Sequence, residues 1–179
     1  MATGRKRANG GTEGTDMDLL AVTMLVGVGA TAATDLWAIA RKRLFGLAPP
    51  DYGLVGRWLA HMTRGRFRHD AIARAPAVRG ERALGWAAHY GTGIAFAALL
   101  PALFGPAWLR EPTPGPALFV GVGTVAAPFL LMQPGMGAGL AASRTPRPSF
   151  ARLQSLVTHT VFGLGLYAAG RAARFLLAP

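Results

Sequence analysis

With 51% hydrophobic and only 15% charged residues in 179, the chain departs from an ordinary soluble domain, which carries about 25% charged residues, and its length suits one domain. The net charge of +11 comes almost wholly from arginine, but the arginines gather between apolar runs, the pattern of topology control and anionic-lipid contact rather than of nucleic-acid binding. The absence of cysteine excludes disulfides, iron–sulfur clusters and thiolate metal sites.

Residues 1–16 are polar, rich in Gly and Thr and nearly free of large apolar side chains, so they read as a disordered leader ahead of one integral membrane domain, 17–179. Met17 is an alternative start, because MDLLAVTMLVG opens directly into the first apolar run. A signal peptide, with Arg5–Arg7 as its basic region, is opposed by Asp16 and Asp18 and by the stop-transfer cluster Arg41-Lys42-Arg43. No Asp, Glu, Lys or Arg occurs in Leu19–Thr34, Ala83–Leu109, Pro112–Ser143 or Leu153–Gly170. A bilayer core needs about 20 mostly apolar residues per helix. These runs therefore predict an all-α fold, a four-helix transmembrane bundle with helices at about 18–40, 83–104, 117–133 and 152–169.

Between the first two helices lies the long basic loop 41–82. Within it Leu54, Val55, Trp58, Leu59 and Met62 repeat at helical spacing opposite Arg57, His61 and Arg64, which predicts an interfacial amphipathic helix. A short helix is expected at 69–75. The third helix carries Pro128 as an expected kink, and the run PGMGAG at 134–139 reads as a helix end and loop rather than the start of a transporter-type half-helix.

Orientation follows from the basic residues. Loops 41–82 and 135–152 share one side with 13 Lys and Arg, against 6 on the other. The positive-inside rule places both loops in the cytoplasm and both termini outside. Trp37, Trp58 and Trp86 then mark the cytoplasmic interface and Trp108 the outer one.

Polar residues recur on the small-residue faces of these helices. Gly27, Thr31 and Asp35 share one face of the first helix; Gly85, His89 and Gly93 one of the second; Ser155, His159 and Gly163 one of the fourth, with Tyr167 continuing that line. Asp35 precedes Arg41 by six residues, His89 follows Arg82 by seven and His159 follows Arg152 by seven, so each sits roughly 9–11 Å inside its basic boundary. Gln133 ends the third helix near the same level. Together these placements predict a common polar layer of Asp35, His89, Gln133 and His159, with Thr31 and Tyr167 beside it as further binding residues. Such a layer serves either as interhelical glue or as a site. Asp35, His89 and His159 are a conceivable metal shell, the two histidines conceivable axial haem ligands, and Asp35 with the histidines a proton relay. In the basic loop, Arg64, Arg66, Arg68 and His69 read either as a solvated surface or as a contact for an anionic headgroup or phosphate.

The blocks GRFRHD at 65–70, GERALGWAAHYGTGIAFA at 80–97, PFLLMQPGMGAGLAASRTP at 128–146 and LVTHTVFGLGLY at 156–167 carry a resemblance over about Leu19 to Ala169. The chain resembles a bacterial domain-of-unknown-function (2938) family of small polytopic membrane proteins, which implies a four-helix inner-membrane protein and brings no activity or cofactor. From the residues, the leading expectation is a binding or transport-type protein holding a metal ion, proton or small polar ligand. The alternatives are a membrane enzyme or haem-type redox protein using the two histidines, and a structural subunit whose small-residue faces meet a second copy or a membrane-complex partner.

Overall fold

The computed structural model describes residues 10–177, with side chains from 19 to 176. The charge-free runs are largely helical, because a helix satisfies backbone polar groups inside the segment. The described residues are all helix, turn and coil, with no strand among them. The long helices are α1 (Gly10–Phe45), α3 (Glu81–Phe104) and α7 (Pro148–Leu177), and shorter ones are α2 (Tyr52–Met62), α4 (Ala107–Arg110), α5 (Pro114–Gly123) and α6 (Gln133–Met136). Three stretches, Leu19–Phe45, Glu81–Phe104 and Pro114–Met136, are long and apolar enough to cross a membrane.

Packing follows the small residues. α1 lies between α3 and α7, α7 also packs on α5, and α2 packs on α3. A Cβ on Gly27 would meet the Ile94 backbone, one on Gly121 the Gly163 backbone, and one on Gly85 the Tyr52 carbonyl. The small-residue faces are thus spent on crossings within the chain, where backbone approach allows dense van der Waals contact. Toward the α3–α5 connection the bundle closes on a dry core that includes Val26, Ala30, Leu100, Val120, Phe162 and Leu166. The opposite surface of each long helix is apolar and exposed, as at Leu25, Leu36, Leu99, Leu103, Phe119, Leu131 and Leu164. Monomeric soluble proteins seldom expose contiguous apolar surface on this scale.

Several elements differ from expectation. α1 already begins at Gly10, inside the stretch read as a leader, while residues 1–9 lie outside the described residues. It continues past the basic cluster to Gly46, whose φ of +66° caps it through a bond from its N–H to the Lys42 carbonyl at 3.1 Å. α2 does not leave all of its polar face free. Its Gly56 seats against the Glu81 and Gly85 backbone of α3, and His61, on the face expected to be solvated, is only 6% exposed. The helix expected at 69–75 is a single 3₁₀ turn, Ile72–Arg74. Trp108, expected at the outer interface, is 5% exposed and belongs to the core, its indole N–H donating to the Thr113 carbonyl at 3.2 Å. The third run is interrupted as Pro128 predicts, by a π turn over Pro128–Met132. The segment after it is a loop with one 3₁₀ turn, Leu140–Ala142, rather than a half-helix.

Candidate functional site

The half of the bundle facing the basic loops is not closed. A cavity of about 460 Å³ is bounded by all of the principal helices and by α2. Thr31 and Arg41 come from α1, Tyr52 from α2, His89 from α3, Gln133 from α6 and His159 from α7. Three of the four residues expected in the polar layer, His89, Gln133 and His159, therefore meet at one space, and Thr31 joins them. Asp35 reaches it only through His89 and Tyr52. Tyr167 does not reach it and packs against the dry core.

The remaining wall is mostly apolar, with Val55, Leu59, Phe96, Met132 and Phe162 among its side chains. Such a mixture of apolar lining and a few polar groups, at this volume, is the usual character of a small-molecule pocket. The π turn helps to make it. One extra residue in the turn rotates the downstream residues by about 100° relative to a regular helix, and Gln133 is the first of them.

Asp35 is the centre of a fastener beside the cavity. Its Oδ1 accepts from His89 Nε2 at 3.0 Å and its Oδ2 from the Tyr90 hydroxyl at 2.9 Å, while the Tyr52 hydroxyl approaches Oδ1 at 3.5 Å. The Tyr52 ring stacks on His89 with centroids 4.0 Å apart. Burial, and then the Asp35 carboxylate, push the Tyr52 phenol above its ordinary value, so it remains a hydrogen donor. One carboxylate thus ties α1 to α2 and α3.

His159 is held differently. The Gly121 carbonyl can only accept, so Nδ1 of His159 carries a hydrogen and donates to it at 3.2 Å, with the Thr124 hydroxyl oxygen 3.1 Å away. The neutral ring then offers Nε2 as an acceptor. Among the described residues no three His, Cys, Asp or Glu side chains gather closely enough to hold a metal ion, so the expected Asp35, His89 and His159 metal shell is not built. The haem expectation meets a similar obstacle, because Nε2 of His89 is already engaged by Asp35.

The residue that sequence reasoning missed is Arg41. It is 8% exposed, its Nη1 donates to the neutral Gln154 Oε1 at 2.6 Å, and its buried Nε has no partner among the described residues. In sequence it is one member of a boundary cluster, and its neighbours Lys42 and Arg43 are indeed exposed. The signal lay in the stripe Thr23, Val26, Ala30, Thr34, Ala38, Arg41, whose three- and four-residue steps keep Arg41 on the inward face. A second unmet group, Gln133 Oε1, is also buried without a partner, while Gln133 Nε2 donates to Ser155 Oγ at 3.4 Å.

In the basic loop, Arg66, Arg68 and His69 do face a common cleft, whereas the expected Arg64 lies outside it. Burial pushes the His69 imidazole below its ordinary value.

An all-helical chain with three apolar helices of membrane-crossing length has the build of a membrane protein. It belongs to the family described as Protein of unknown function (DUF2938), which matches it over residues 24–173. No curated protein and no solved structure matches the chain.

Proposed function

We propose that the chain is a four-span, multi-pass protein of the bacterial inner membrane that binds a small organic anion in the cavity between its helices, as a binding or transport-type protein rather than an enzyme. The observation that carries this reading is Arg41. A buried guanidinium without a carboxylate partner is costly, several kcal/mol for an uncompensated charge in the interior. It is sustained where a ligand supplies the counter-charge. Arg41 provides donors for a carboxylate, while Gln133 Oε1 and His159 Nε2 await a hydrogen-bond donor. The ligand class is therefore a carboxylate that also bears a hydroxyl or amino group, with an apolar body against Val55, Leu59, Phe96 and Phe162.

α7 is the fourth span in this reading. Leu153–Gly170 is free of charge, and Leu153, Leu156 and Leu164 are exposed as the lipid-facing residues of the other helices are. The basic loops 41–82 and 135–152 lie in the cytoplasm, which sets the cavity in the inner half of the bilayer. Because the native chain has no cysteine, single substitutions report sidedness cleanly. An impermeant thiol reagent is expected to label Thr113→Cys on intact spheroplasts and Arg79→Cys only after lysis; the reverse pattern defeats the topology.

The binding test uses detergent-purified protein with 2-hydroxyoctanoate as probe and octylamine as the cationic control. The carboxylate raises Tm and octylamine does not. Arg41→Gln removes that response, a loss of tenfold or more in affinity, for an interaction of about 1.5–3 kcal/mol. The unliganded variant melts no lower than the native protein, since an uncompensated charge has gone. A variant that melts far lower marks Arg41 as structural and ends the proposal.

A further inference from the structure

The two basic loops are clipped together. The His69 N–H donates to the Gly135 carbonyl at 2.9 Å, and a Cβ on Gly137 would run into the Asp70 carbonyl. Gly137 and Gly139 have φ of +98° and +76°, which only glycine adopts readily. The Arg144 N–H then donates to the Ala138 carbonyl at 2.8 Å, folding Arg144 back over the glycine turn. Between the loops is a cavity of about 330 Å³, walled by Arg66, Arg68, His69, Asp70 and Arg144 among others. It shares no lining residue with the intramembrane cavity.

Its charges are unmatched. Among the described residues, the side chains of Arg66, Arg68 and Arg144 make no ion pair or hydrogen bond, and neither does that of Asp70. The nearby Arg57 contrasts with them, gripping Glu81 through Nη2 at 2.7 Å and Nε at 2.9 Å. Three guanidinium forks thus face one cleft with a single carboxylate. Planar forks of this kind fit phosphate oxygens in pairs.

One wall residue adds a finer requirement. His61 Nε2 lies 3.1 Å from the Pro76 carbonyl, which can only accept, so in the neutral ring Nδ1 is an acceptor. His69 Nε2 donates to that nitrogen at 3.2 Å. The other ring nitrogen, His69 Nδ1, is left as an acceptor, buried and without a partner in a side chain only 6% exposed. Three donors in excess and one acceptor in need describe a phosphate oxyanion that keeps one O–H. A carboxylate would occupy a single fork, and sulfate carries no hydrogen at neutral pH.

We propose that this cytoplasmic-side cleft is a phosphate site, formed by Arg66, Arg68 and Arg144 with His69 at its wall, which takes inorganic phosphate or the terminal phosphate of a phosphomonoester. That group can come from a free metabolite or from a lipid headgroup of the phosphatidic-acid type. The full chain in phosphate-free neutral detergent is titrated calorimetrically with inorganic phosphate and, separately, sulfate. Native mass spectrometry after exposure to mixed phosphatidylcholine and phosphatidic acid tests the lipid source. Phosphate binding at pH 6.5, tighter than sulfate and weakened about tenfold by Arg68→Gln or Arg144→Gln, supports a free ligand. Selective retention of phosphatidic acid, lost in the same two variants and without phosphate binding, supports the headgroup. Arg64→Gln, outside the cleft, leaves either readout unchanged. An equal loss in Arg64→Gln shows a diffuse basic surface and overturns the site, as does the absence of both kinds of binding. Sulfate binding as tightly as phosphate overturns the assignment to a proton-bearing group. None of these outcomes touches the reading of the intramembrane cavity.

Discussion

The two halves of the bundle use the same helices and the same spacing of small residues, and end differently. Toward the α3–α5 connection, Ala30, Ala97, Leu100, Ala117, Val120 and Leu166 close on one another without polar groups between them. Toward the basic loops, the same α1, α3 and α7 hold Arg41, His89 and His159 around an open space. The difference lies in what interrupts the helices. α5 runs straight past Gly163, whereas its continuation takes a π turn and α2 inserts beside α3. Glycine spacing sets how near two backbones come; breaks and long polar side chains decide whether the space between them fills.

Substitutions that exchange the character of the halves test this directly. Gly121→Leu puts a side chain into the Gly163 backbone, at a crossing with no room to relax. Its expected cost is more than about 3 kcal/mol, at the severe end of overpacking, and is read as loss of monodisperse protein in detergent. Ala88→Leu adds comparable volume at the cavity wall and is expected to leave Tm within a few degrees of native. Equal damage from both would mean that the cavity half is as tightly determined as the core.

The contrast also separates the features legible in the sequence from those that are not. Helix positions, the Pro128 break and the shared depth of His89, Gln133 and His159 are local properties, carried by periodicity and charge boundaries. The docking of α2 is not local. Val55 and Leu59 form an ordinary amphipathic stripe in sequence, and only the Gly56 contact with α3 turns that stripe toward the cavity. Tyr52 and Tyr90 escape a sequence reading for the same reason, because their hydroxyls matter only once Asp35 is between them. Tyr167 does not join the binding residues it is expected to support, because spacing by four assigns a face but not the depth at which that face meets a cavity.

A smaller effect separates the two cavity histidines. Asp35→Ala leaves the His89 Nε2–H and the Tyr90 hydroxyl without their acceptor, an expected loss of about 2 kcal/mol. His159→Leu removes a bond to one carbonyl, closer to the roughly 0.6 kcal/mol typical between membrane helices. Thermal melts of the two variants in one detergent rank them. If the order is reversed, Asp35 is not the tie between α1, α2 and α3.

The smallest expected effect belongs to the loops outside the bundle, where the structure is set by burial rather than by helix crossing. Burial holds the His69 pKa below the ordinary value of 6.5, against the opposing pull of Asp70 and with His61 and Arg66 disfavouring a further positive charge. The unfolded chain therefore binds the proton first. Stability is complete above the unfolded value and declines as pH falls through it, ceasing to change once the folded ring is also protonated. Melts between pH 8 and pH 5 are expected to show this acid-side decline, smaller than the Asp35→Ala loss, and His69→Gln to flatten it. A decline that persists unchanged in His69→Gln would place the titrating group elsewhere.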